Sequence, residues 1–174
     1  MSVVREANIG IQSSQKEALA TKLQAVYSER EALTNQIRAA QWNTQGPRAS
    51  ELLQVLSASS PDNQSQQKPY RSRLMQTVQP FAPSNEIAER ISMMGGRVPS
   101  SYQEMDEYSR IEPQKQGADV QRTADSLANA CEHFSQTTRK AIQFAKQADD
   151  EVSVQALTDQ LHPAEQLAMQ LRRF

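Results

Sequence analysis

Residues 36–56 read Gln-Ile-Arg-Ala-Ala-Gln-Trp-Asn-Thr-Gln-Gly-Pro-Arg-Ala-Ser-Glu-Leu-Leu-Gln-Val-Leu, and this stretch decides the fold. A helical pattern ends at Trp42, and Asn43 and Gly46 are residue types typical of turns. Pro47 suits the first turn of a new helix, because a backbone N–H at that position would have no partner within the helix. The stretch therefore predicts two helices joined by a short link.

The helix before this link is predicted over residues 14–41. Its apolar residues recur at spacings of four, three, seven and four, which places them on one face of a helix: Leu19, Leu23, Val26, Leu33 and Ile37. Ser14 and Glu17 form a capping-box pattern at its start. Residues 29–31, Glu-Arg-Glu, are expected mainly on the solvent side.

The segments after the link alternate between helical patterns and helix-breaking sequence. A second helix starts near Pro47, and the polar, proline-containing residues 57–69 cannot continue it. Residues 70–79 fit a short helix. Ser84 is a candidate N-cap for a helix over 85–94, which Gly95 and Gly96 would end.

Two long helices are predicted in the last third of the chain, over 118–148 and 151–174. Asp149 and Asp150 lie between them and can cap the second one. Pro163 predicts a kink or a restart inside that helix. Cys131 is expected to be a small buried residue of the first one.

The composition also favours long helices. Of 174 residues, 37 % are hydrophobic and only 5 % aromatic, with five glycines and a mean hydropathy of −0.71, which fits narrow apolar stripes better than a sheet. The length predicts one domain. We expect an all-α domain over 13–174, preceded by a flexible tail over 1–12 and interrupted by a polar insert over about 57–84.

The charge and the single cysteine limit the functional classes. The formal net charge is −1, so the chain has no general signature for binding polyanions. One cysteine cannot form an intramolecular disulfide and fits a reducing compartment. No stretch is apolar enough for a membrane span, and the N-terminus has no apolar signal-peptide core. We predict a cytoplasmic protein that contacts no membrane.

Three motifs resemble the Dps family of ferritin-like mini-ferritins. The first is Trp42-Asn43-x-x-Gly46-Pro47, the second is Asn-Glu-Ile-Ala-Glu-Arg-Ile at 85–91 followed by two glycines, and the third is Arg-Lys-Ala-Ile-x-x-Ala-Lys at 139–146. The resemblance follows the order of the chain over most of its length. It implies a ferritin-like four-helix bundle with a short extra helix in the long B–C crossover, and an assembly of twelve subunits around a hollow centre.

The resemblance also identifies the positions of the iron ligands. Dps proteins oxidise ferrous iron at a site that two subunits share, with histidines and carboxylates as ligands. The two histidines fall on Gln41 and Leu53, the following carboxylate on Ser57, and the Asp of helix B on Asn85. Glu89 is the one ligand that this sequence retains. The acidic residue of the iron-entry pore falls on Gln155.

These substitutions predict a Dps-like shell protein without standard ferroxidase activity, in a structural or stress-protection role, with no catalytic residue and no resident cofactor. A second hypothesis is an active mini-ferritin that binds iron through a rearranged site, in which Glu89 is joined by Glu86, His133 or the insert. His133 and His162 are the only histidines, and both are expected at the surface or its boundary. An acidic cluster, Glu104, Asp106 and Glu107, is expected to be solvated.

Two further hypotheses concern partners. The insert over 57–84, with the basic cluster Lys68, Arg71 and Arg73, could serve as a protein-interaction loop or be a tolerated loop. DNA binding is expected to be weak or absent, because the tail has few basic residues and the net charge is −1. We also leave open co-assembly with another Dps subunit.

Overall fold

The computed structural model describes residues 8–58, 84–113 and 119–174, and these are helical apart from short connections. None of the described residues belongs to a β-strand. The described helices are α1 (Ser13–Asn43), α2 (Ala49–Ala58), α3 (Asn85–Met93), α4 (Tyr102–Tyr108), α5 (Val120–Gln147) and α6 (Glu151–Arg173).

Three long helices and one divided helix form a four-helix bundle. The antiparallel pair α5 and α6 shares the most extensive contact, and α1 packs against α5. Two segments, α2 and α3, take the place of the remaining helix: α2 packs at one end of α6 and α3 packs against both α1 and α6. The short helix α4 lies in the crossover and packs against α1. The predicted all-α bundle with an extra crossover helix is therefore confirmed.

A single core of leucine, isoleucine and alanine side chains runs through the bundle. The stripe predicted on α1 is fully buried, and Phe134 and Leu127 of α5 pack into the same cluster. Cys131 is buried among them, as predicted. No helix in the described residues is long and apolar enough to cross a membrane.

The ends of α1 differ in detail from the prediction. The helix begins at Ser13 with Gln12 as the N-cap, and no side chain caps it, so the capping box at Ser14 is wrong. Ser14 lies inside the first turn, where its side chain cannot act as the cap. In the link that follows α1, Arg48 has a left-handed backbone with φ 67°. Helix α2 therefore begins at Ala49, after Pro47 and Arg48.

The glycine pair after α3 ends that helix as predicted. Gly95 has φ 79°, and the N–H of Gly96 donates to the carbonyl of Ile91 at 2.9 Å, which is the hydrogen bond of a Schellman motif. A Cβ on Gly96 would lie 2.9 Å from the Cβ of Ala20. The glycine thus allows α1 to pass close to the end of α3.

The turn between α5 and α6 also agrees with the prediction in part. Asp150 caps α6, since its side chain accepts a hydrogen bond from the N–H of Ser153 at 3.1 Å. Pro163 does not restart the helix, because α6 continues through it to Arg173. The predictions for residues 1–7 of the tail, for the helix over 70–79 and for most of the insert, residues 59–83, fall outside the described residues.

Candidate functional site

The positions that resemble Dps histidine ligands hold side chains of a different chemistry. Gln41 is half-buried, and its Nε2 atom has no hydrogen-bond partner among the described residues. Leu53 is half-buried on α2 and has no atom that could bind a metal. Ser57 is exposed, and its hydroxyl donates to the carbonyl of Leu53 within the same helix at 2.7 Å. This half of the family site therefore offers no imidazole and no carboxylate.

The ligand positions on α3, which the Dps resemblance assigns to Asn85 and Glu89, lie on the outer face of that helix. Asn85, Glu86 and Glu89 are all exposed, and none of them forms an ion pair with a described residue. Across residues 8–58, 84–113 and 119–174, no group of three or more His, Cys, Asp or Glu side chains could hold a metal ion. Gln155, the position of the pore residue, is exposed and donates to Asp159 one turn later at 2.8 Å.

A buried carboxylate and a histidine meet in the middle of the bundle instead. Glu29 of α1 is 1 % exposed, and its Oε1 atom lies 3.1 Å from Nε2 of His133 on α5. The same oxygen accepts a hydrogen bond from the backbone N–H of Arg110, in the crossover, at 3.3 Å. Its Oε2 atom is buried as well. The His133 side chain is 40 % exposed, so the pair connects the interior with the surface.

Burial raises the pKa of Glu29 above its ordinary value. Thr137, His133 and the Arg110 backbone oppose this rise by favouring the charged carboxylate, but burial prevails. One carboxylate and one imidazole are too few to hold a pair of metal ions.

A buried arginine follows directly in the sequence and points across the bundle. Arg30 is 3 % exposed, and its Nε atom donates to Oε1 of Gln160 on α6 at 2.9 Å. Its Nη1 atom donates to Glu31 at 2.8 Å. Burial lowers the pKa of Arg30, and Glu31 opposes that shift. Arginine nevertheless stays protonated in proteins, so a positive charge lies in the core.

Glu29 and Arg30 correct the expectation that residues 29–31 face solvent. The apolar stripe of α1 has a gap of seven between Val26 and Leu33, where a helical face needs a residue three or four positions on. Positions 29 and 30 fill that gap. The irregular spacing itself was the signal that these two charged residues are buried.

A second buried network explains two of the sequence motifs. Arg90, in the motif on α3, donates from Nη2 to both carboxylate oxygens of Asp150 at 2.8 and 2.7 Å, and from Nε to the hydroxyl of Ser153 at 3.1 Å. Burial alone would raise the pKa of Asp150, but hydrogen bonds from Ser153 and Arg90 hold it below its ordinary value. This network ties α3 to the start of α6 and has a structural role.

An open groove of about 850 Å³ lies between α1 and α4. Its walls are formed by one face of α1, the inner side of α4 and the residues that lead into α5. Tyr102 borders this groove, and 78 % of its surface is exposed. Trp42 is 70 % exposed and so lies outside the core of the bundle.

No family model and no curated protein matches this chain in sequence. Its fold matches many solved structures, among them Dps from Thermosynechococcus elongatus, with a TM-score of 0.76, 16 % identity and coverage of 93 % of this chain and 92 % of that one.

Two further structures agree with this result. Dps from Vibrio cholerae O1, described as a member of a broad superfamily of ferritin-like diiron-carboxylate proteins, gives a TM-score of 0.74 at 18 % identity, covering 99 % of this chain and 98 % of that one. DpsC from Streptomyces coelicolor gives 0.75 at 15 % identity, covering 97 % and 90 %. The comparisons and the helix arrangement together show that this chain has the ferritin-like fold of the Dps proteins.

Proposed function

We propose that this chain is a Dps-like, shell-forming protein that lacks the ferroxidase activity of its structural relatives and has a structural or stress-protection role. The observation that carries this proposal is the chemistry of the ligand positions. Four of the five hold Gln41, Leu53, Ser57 and Asn85, and the fifth, Glu89, is an exposed carboxylate without a described ion-pair partner. These residues do not fit a di-iron centre, because oxidised iron needs several oxygen and nitrogen ligands held close together.

Several large apolar side chains are available for subunit contact. Trp42, Tyr102 and Val152 are exposed by 70 %, 78 % and 61 % respectively, and an interface at these positions would bury them. The solved structures that share the fold belong to proteins named Dps. A homo-oligomer, with twelve subunits by resemblance, is therefore part of the proposal, and co-assembly with a second Dps-like chain is its variant.

The experiment measures mass and iron oxidation on one preparation. Light scattering gives the size of the assembly, and absorbance follows the oxidation of added ferrous iron by oxygen and by hydrogen peroxide. We expect a multi-subunit species whose oxidation rate equals that of buffer. Oxidation at the rate of an active Dps protein, measured in parallel, would overturn the proposal.

A second candidate is an active mini-ferritin with a rearranged site, and the Glu29–His133 pair favours it. This pair joins a carboxylate and an imidazole at 3.1 Å, which is the ligand chemistry that iron needs, although the partner is Glu29 and not Glu89. Matched variants separate the two locations. Loss of oxidation in His133→Gln with normal activity in Glu89→Gln would locate the chemistry in the bundle, whereas the reverse would locate it on α3.

DNA protection is expected to be weak, since the chain has a net charge of −1. A gel-shift titration at low and at physiological salt tests this directly. A role of the insert in partner contact is tested by deleting residues 59–69 and measuring the mass of the assembly, which stays unchanged if the insert is a tolerated loop.

A further inference from the structure

Arg38 of α1 is a partly buried cation without a partner in its own chain. Its side chain is half-buried, its Nε atom is buried without a hydrogen-bond acceptor, and it forms no ion pair with a described residue. Every other described lysine or arginine either is exposed or interacts with another residue. Loss of hydration without an acceptor is unfavourable for a guanidinium group, so this position would gain from a carboxylate that another molecule supplies.

Arg38 shares a helix face with a large exposed aromatic residue. Trp42 follows four positions later on α1, a spacing that makes two side chains neighbours on a helix, and it is 70 % exposed. Tryptophan and arginine are the residue types that most often dominate the energy of protein contacts. The last turns of α1 therefore carry a surface, Arg38–Trp42, with one positive charge and one apolar anchor.

A second surface, on α3, has the complementary composition. Glu89 is exposed and forms no ion pair with a described residue, and Met93 is 46 % exposed four positions later. Glu86 adds another exposed carboxylate one turn before Glu89. The Glu89–Met93 surface thus combines negative charge with an apolar anchor, at the same spacing as the Arg38–Trp42 surface.

These two surfaces do not meet within one chain. Ala20 of α1 lies against Gly96, directly after α3, and Arg38 is roughly 27 Å further along α1 at 1.5 Å per residue. The segment from Glu89 to Gly96 covers only about 10 Å of that distance. In a twofold dimer, by contrast, a surface of one copy can contact a different surface of the other copy, and the same contact then occurs twice.

We infer that the Arg38–Trp42 surface binds the Glu89–Met93 surface of a second copy of this chain in a twofold dimer. Arg38 pairs with Glu89 of the partner subunit, and Trp42 packs against Met93 of the partner subunit. The occupant is a second copy because the chain itself supplies the complementary charge at the matching spacing. This inference rests on the proposed self-assembly, but it does not depend on whether the protein oxidises iron.

Charge reversal tests this contact on the full-length chain. Arg38→Glu and Glu89→Arg each place like charges opposite one another twice in a dimer, and we expect each to raise the dissociation constant of this interface about a hundredfold or more. An equimolar mixture of the two variants should associate within about tenfold of the wild type, because each variant supplies the charge that the other lacks. The matched control is Glu17→Arg, which reverses an exposed carboxylate outside both surfaces and should leave the mass of the assembly unchanged.

Sedimentation velocity over a range of protein concentrations gives the mass and the dissociation constant. Circular dichroism confirms that the helices of each variant are intact. The milder variant Arg38→Gln, expected to weaken association about tenfold, replaces any reversal that does not fold.

The outcomes separate this inference from the proposed function. An assembly that keeps its mass with either reversal overturns the inference alone. Failure of the mixture to associate also overturns it, since that result indicates a metal ion or a different protein as the occupant. A monomeric wild type overturns the inference and the proposed assembly together. Iron oxidation by an assembly that still depends on both charges overturns the proposed loss of ferroxidase activity and supports the inference.

Discussion

Replacing Asp150 with asparagine tests how strongly the buried network holds the bundle together. The side chains of Asp150 and Arg90 are 3 % and 10 % exposed, and both carboxylate oxygens accept hydrogen bonds from the guanidinium. Asparagine has nearly the same shape and can still cap α6, but it is neutral and turns one acceptor into a donor that faces Arg90. The variant thus isolates the loss of the charge pair.

Removal of one partner from a buried ion pair costs about 3–5 kcal/mol, because the other charge stays buried without compensation. The amide of the substituted side chain keeps one acceptor, so we expect Asp150→Asn to lower the free energy of unfolding by about 3 kcal/mol at neutral pH. The matched control is Asp149→Asn. Asp149 is exposed with φ 53°, a conformation that asparagine also tolerates, and we expect a change within about 0.5 kcal/mol.

The pH dependence supplies an independent check. The pKa of Asp150 is held below 3.8, so the stabilisation from its carboxylate is complete above that value and is lost as the pH falls through the lowered pKa. The difference between wild type and Asp150→Asn should therefore shrink on acidification. Urea unfolding followed by circular dichroism, at one protein concentration, measures both effects. Equal stability of the two asparagine variants at neutral pH would refute the reasoning.

Three further predictions concern the core. Glu29→Gln should stabilise the protein at neutral pH, since burial raises the pKa of Glu29 and its contribution is lost as the pH rises through that raised value. The exposed control Glu17→Gln should have no such effect in the same unfolding titrations. Gly96→Ala should cost about 1–3 kcal/mol by overpacking against Ala20, and combining it with Ala20→Gly should cost less than the sum of the two single changes in a double-mutant cycle. Burial raises the pKa of Cys131 to about 12, so an aromatic disulfide reagent should label the native thiol only at the rate of unfolding; rapid labelling of the folded protein would contradict its burial.

The sequence predicted several elements whose signals are local. The stripe of α1, the cap at Asp150 and the glycines after α3 each depend on residues within one or two turns, and the structure confirms all three. The backbone conformation of Arg48 could not be predicted in this way. Its left-handed backbone is accompanied by a contact that no local rule contains, because its guanidinium lies 4.2 Å from the ring centre of Phe174 at the far end of the chain.

The polar residues inside the bundle could not be paired from the sequence. The gap in the stripe of α1 indicates that positions 29 and 30 are buried, but only the fold brings Glu29 to His133 and Arg30 to Gln160, which are 104 and 130 positions away. A shift of one turn between the helices would separate both polar pairs, and Arg30 would lose its hydrogen bond to Gln160. The pairs therefore set the register of α1 against both α5 and α6.

The two faces of α3 explain how the fold can agree with Dps proteins while the ligands do not. Ile87, Arg90 and Ile91 are buried, and Arg90 binds Asp150, so the motif at 85–91 and the acidic turn form one structural unit. Asn85 and Glu89 lie on the outer face, where no described residue depends on them. Because the buried residues of α3 lie on its inner face, a change from carboxylate to amide at the outer face leaves this packing intact. Similarity in this motif is therefore evidence for the fold, and the iron chemistry must be judged from the ligand positions themselves.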